Sequence, residues 1–62
     1  MRYLLKNGKS YEVESFKGCL KVTEKTSYFD NMFESISDIT YLDNMTEVRE
    51  YLTEKNGGEE VW

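Results

Sequence analysis

Six carboxylates stand at spacings that would let them act together. Asp30, Glu34 and Asp38 recur at intervals of four, and Glu47, Glu50 and Glu54 at intervals of three and four. On a helix, residues three or four apart are neighbours, with Cβ atoms about 5–6 Å apart. Each trio would form a row of negative charge with a pitch comparable to that of phosphates along one nucleic-acid strand. None of the six has a lysine or arginine four residues away, and like charges at that spacing oppose helix formation slightly. Rows kept without internal counterions suit capture of a basic partner surface. The plainer alternative is a solvated helix face that maintains solubility. A second candidate contact is the apolar pair Val61 and Trp62, which follows Gly57, Gly58 and two glutamates. It could complete a core or anchor a partner, because tryptophan is enriched among interface hot spots.

Other chemistries lack their residues. The chain has no histidine, which removes the commonest general base and the commonest metal ligand. One cysteine, Cys19, leaves no internal disulfide and no structural zinc site within one chain. As a nucleophile it has no histidine to activate it, and a small half-buried filler is the better reading. The stretch DNMFESISD holds three acids but lacks the alternating ligands and central glycine of a calcium loop. In NGGEE two carboxylates follow the glycines where a phosphate would sit. Paired carboxylates can do acid–base work, but a chain this small has little room for the pocket such work needs. No catalytic residue, cofactor or metal is therefore expected.

Sixty-two residues suit one small domain over 1–62, with 57–62 as a flexible or folded-back tail. Such a chain buries only about 60% of the surface its unfolded state exposes, so its core is small. Residues 1–20 contain no long apolar run, which speaks against a signal peptide or a membrane span, and a lone thiol fits a reducing, cytoplasmic setting. The net charge of −4 conceals a split: residues 1–25 hold six basic and three acidic side chains (+3), and residues 26–62 hold two basic and nine acidic ones (−7).

The elements that must position these groups are read as α+β. Residues 1–25 alternate apolar and polar side chains, predicting a three-stranded antiparallel meander at about 2–6, 9–16 and 19–25. Asn7-Gly8 marks the first hairpin. A three-residue loop, Lys6-Asn7-Gly8, pairs Tyr3 with Tyr11 and Arg2 with Glu12 and places Tyr3, Leu5, Tyr11 and Val13 on one face. A two-residue loop would oppose Lys6 and Lys9. Lys17-Gly18 marks the second turn. In the next segment Tyr28, Phe29, Met32, Phe33 and Ile36 recur in steps dominated by three and four, predicting a helix at about 28–37. The competing reading carries the third strand on to residue 29. DITYLD is either a short strand or a link. The clearest helix is 46–55, capped by Asn44 with Glu47 three residues on, and stopped by Asn56-Gly57.

Three functions follow. The first is a small protein-binding inhibitor or regulator whose carboxylates stand in for phosphates on a partner's basic, nucleic-acid-binding surface. In size and composition the chain is similar to small inhibitors carried by bacteriophages and mobile elements, anti-CRISPR proteins among them; no motif carries that similarity. The second is a self-associating adaptor, a homodimer driven by an open sheet edge or apolar strip. The third, ranked last because of the excess of acid, is direct nucleic-acid binding through Lys9, Lys17, Lys21 and Lys25 with Tyr11 and Phe16.

Overall fold

The computed structural model describes residues 1–28 and 33–61. Four strands form one antiparallel sheet in sequence order: β1 (Arg2–Leu4), β2 (Lys9–Phe16), β3 (Cys19–Tyr28) and β4 (Phe33–Leu42). One helix, α1 (Met45–Lys55), closes one face. The architecture is α+β with an antiparallel sheet, as the sequence predicts. The meander, however, has four strands rather than three.

Turn chemistry sets the first register. Gly8 takes φ 82, a conformation glycine adopts without steric cost. Leu5 accepts from the Gly8 N–H at 3.0 Å and donates to Lys9 at 3.1 Å. The loop is therefore the three residues Lys6-Asn7-Gly8, and Tyr3 faces Tyr11 and Arg2 faces Glu12. At the second turn Phe16 faces Cys19, leaving the two-residue loop Lys17-Gly18 with φ 47 and φ 84. Two positive φ values in succession match the twist of the flanking strands.

The helix expected at 28–37 is absent from the described part of that range. Tyr28 ends β3 and residues 33–37 begin β4, so the third strand does run on past residue 25, and the DITYL stretch is strand. Residues 29–32 lie outside the described residues. A bulge interrupts the β3–β4 ladder: Glu24 faces Asp38 and Lys25 faces Ile36, which leaves Ser37 as an extra residue.

The core lies between the sheet and α1. Tyr11, Val13 and Val22 are buried from the sheet, Leu5 from the residue just after β1, and Val48 and Leu52 from the helix. Tyr3, Leu20, Leu42, Met45, Tyr51 and Val61 pack around them. The Tyr11 and Tyr51 rings meet edge to face, with centroids 6.2 Å apart. Asn44 caps α1 by accepting from the Glu47 N–H at 3.0 Å, and the Glu47 carboxylate reaches back to the Asp43 N–H at 3.4 Å. That is a capping box shifted by one residue. At the other end buried Asn56 accepts from the Lys6 N–H at 2.9 Å and donates to the Glu59 carbonyl at 3.0 Å. One amide thereby ties the helix end to the first hairpin loop.

Candidate functional site: the charged faces

The two trios of carboxylates fare differently. Because 33–42 is strand, Glu34 and Asp38 do not share a helix face. Glu34 stands opposite Ser27 and Asp38 opposite Glu24; an odd step along β3 separates those partners, so the two carboxylates occupy opposite faces of the sheet. Glu34 is held by the Arg2 guanidinium, which also contacts Ser10 Oγ at 3.3 Å and Glu12 at 3.7 Å. Its charge is answered from within. Asp30 lies outside the described residues. Asp38 is exposed, accepts from Thr40 at 3.5 Å and faces a second carboxylate, an arrangement that opposes pairing.

The second trio keeps its geometry on α1. Glu47 is partly consumed by the cap. Glu50 and Glu54, one turn apart, are exposed and take part in no ion pair among the described residues.

The distribution of ion pairs explains the difference. Arg2, Lys6, Lys9 and Lys25, all from the basic half, hold Glu12, Glu24, Glu34 and Glu59. The hydrogen bond from Lys25, at 3.0 Å, holds the Glu12 carboxyl below its ordinary range. Four of the six basic side chains of residues 1–25 are thereby neutralised by acids, Lys17 and Lys21 being the other two. Along 38–60 the exposed carboxylates Asp38, Asp43, Glu50, Glu54 and Glu60 form no ion pair among the described residues.

A buried polar cluster closes the core near the first turn. The Tyr11 hydroxyl donates to Glu24 Oε2 at 2.7 Å and accepts from Asn7 Nδ2 at 3.0 Å, while Lys9 Nζ stands 3.4 Å from Glu24 Oε1. Burial pushes the Tyr11 hydroxyl up to about 12 from its ordinary 10.0, and the Glu24 carboxylate adds to that. This cluster corrects the expectation of Tyr11 as a stacking ring for bases, because the ring is fully buried. Lys9 and Lys25 are taken by Glu24 and Glu12. Of the expected basic set only Lys17 and Lys21 remain with Phe16, both ammoniums standing over its ring at about 5.5 Å.

Two contacts had no separate signal in the sequence. One is the outward face of the sheet, where Leu4, Ile36, Ile39, Tyr41 and Phe16 are 75, 60, 39, 53 and 39% exposed. The other is the Asn56 tie. Val61 packs against the core; Trp62 lies outside the described residues. An open hollow beside β1 is lined by Met1, Arg2, Glu12, Val13 and Glu14. No group of three or more metal-ligating side chains occurs among the described residues, and no helix among them is long and apolar enough to cross a membrane.

Fold and surface thus define a small antiparallel α+β protein with a helix on one side of its sheet and an open face on the other. Comparison with protein-family models, with curated proteins and with solved structures gives no match.

Proposed function

We propose that the chain is a protein-binding inhibitor or regulator, without catalytic activity of its own, that covers a basic, nucleic-acid-binding surface of a partner through α1. The observation that carries this reading is the contrast between the halves. Glu12, Glu24 and Glu34 are paired with cations of the basic half, whereas Glu50 and Glu54 stand out from α1, one turn apart, with no counterion among the described residues. On the hairpin itself only Glu14 is exposed without an ion pair among those residues. Asp43 and the partly engaged Glu47 extend that charge towards the start of the helix. Opposite charge would speed encounter with a cationic partner and fix its orientation. Glu34 and Asp38 are not part of this surface as a row, so the contact is narrower than the sequence predicts. A phage or mobile-element inhibitor of a nucleic-acid-binding machine is one protein of this kind.

The test is affinity capture from the native host with wild type and with Glu50→Lys plus Glu54→Lys, in the presence and absence of duplex DNA or single-stranded RNA. The expected result is one retained protein that nucleic acid displaces and the double variant does not hold. Melting of the variant should shift by less than about 1 kcal/mol, since both positions are exposed. If the variant retains the same protein equally well, the reading is wrong.

A further inference from the structure

We propose that the free edge of β4 is an interface between two copies of this chain, joined by antiparallel pairing of residues 38–42 about Thr40. The strand is at the end of the sheet and, among the described residues, pairs only with β3. It is ten residues long, against three for β1 at the other edge. Long edges invite pairing with another chain unless lysine, proline or a bulge blunts them. Phe33–Leu42 contains no lysine, arginine or proline. Its bulge at Ser37 blunts the first half only, and the segment Ile39–Leu42 beyond it is uncharged.

The side chains carry the choice of occupant. Ile39 and Tyr41 stand opposite Thr23 and Lys21, on the face away from α1, and both are exposed. Phe16 extends this patch, its ring centroid 5.6 Å from that of Tyr41. A second copy offers the same edge and the same patch, which a two-fold axis makes self-complementary. Charge then selects the register. Pairing about Asp38 would oppose two carboxylates, and pairing about Ile36 would oppose Glu34 and Asp38. Pairing about Ile39 sets Tyr41 against Ser37, whose hydroxyl contacts Thr26 on the helix side, so the two point to different faces. Pairing about Thr40 sets Ile39 against Tyr41 twice on the open face and Asp38 against Leu42. No carboxylate meets another. Aromatic and β-branched residues are favourable cross-strand partners, and the product is one continuous sheet of eight strands with an apolar centre on its open face. This interface stands apart from the reading of α1, because Glu50 and Glu54 lie on the other side of the sheet; either can fail without the other.

Sedimentation equilibrium of the full chain at about 0.15 M salt, from micromolar to millimolar, tests it. The mass is expected to rise from 7.4 kDa to twice that value, and amide exchange of Ile39–Leu42 to slow as concentration rises. Tyr41→Glu places a carboxylate against Ile39 of the second copy and should give 7.4 kDa throughout with an unchanged circular dichroism spectrum. Ile39→Lys, also at an exposed position, is the second variant. A wild type that stays at 7.4 kDa up to millimolar overturns the proposal, as does a dimer that survives in a folded variant, or growth beyond the dimer.

Discussion

Tyr11 joins two demands in one side chain. Its ring is fully buried between the sheet and Tyr51, and its hydroxyl is the donor that a buried carboxylate, Glu24, depends on. A buried acceptor left without its donor costs about 1–3 kcal/mol, which is why the cluster recruits Lys9 as well. The hydroxyl's raised value has a consequence at high pH. Because ionisation is harder in the folded chain than in the unfolded one, the stability that neutral Tyr11 contributes is fully present below pH 10.0. It is lost as pH rises through about 12. Ultraviolet titration should therefore show one of the five tyrosines ionising last, near pH 12, together with loss of the folded circular dichroism signal. Tyr11→Phe should remove that step and lower stability at neutral pH by about 1–3 kcal/mol. A titration in which the step persists in Tyr11→Phe would assign it to another ring.

Among the elements, the second hairpin contains the clearest local strain. Lys17 has φ 47, a left-handed conformation that disfavours residues other than glycine, asparagine and aspartate. Its ammonium gains a contact with the Phe16 ring, but Lys21 makes the same contact from the neighbouring strand, so the contact survives without it. Lys17→Asn should accordingly stabilise the chain by roughly 0.5–1 kcal/mol, a rise of several degrees in Tm for a domain of this size. A fall in Tm would mean that the cation at Lys17 outweighs the strain. Turn residues made both hairpins legible in the sequence, down to the register of Tyr3 with Tyr11, because left-handed glycines admit few loop lengths. The α1 cap was legible for a similar reason: Asn44 and Glu47 satisfy backbone groups locally. What misled was β4. The steps of three and four that end in Phe33 and Ile36 predict a helix, yet these residues belong to a strand, paired with Tyr28 and Lys25 of β3. Spacing reports only the local period, and no local residue announces a strand partner supplied by another part of the chain. The candidate site inherited that error. Glu50 and Glu54 sat on a helix marked by its caps and kept their geometry, whereas Glu34 and Asp38 belonged to an element decided by pairing with β3. The pairing of Glu34 with Arg2, 32 residues away, has no sequence signal at all.

The whole molecule is a sheet with two unlike faces, and its stability should be equally one-sided. On the covered face a single helix supplies Val48 and Leu52, both fully buried, to a core of only six buried apolar residues among those described. On the open face Ile36 is 60% exposed. Truncating a buried leucine costs about 2–5 kcal/mol, counting the cavity left behind, whereas an exposed aliphatic costs within about 0.5 kcal/mol. A core of this size supplies a net stability of no more than about 3–5 kcal/mol. Leu52→Ala should therefore leave a large fraction of the chain unfolded at 25 °C, with a shallow or absent urea transition. Ile36→Ala should unfold with the wild-type midpoint. The pair of measurements separates the contributions of the two faces with one kind of substitution. Equal losses in both variants would mean that the open face is covered in solution, and the dependence of the Ile36→Ala midpoint on protein concentration would then show whether a second copy covers it. A near-neutral Leu52→Ala would instead contradict the packing of α1 on the sheet, and with it the outward placement of Glu50 and Glu54 on which the acidic contact depends.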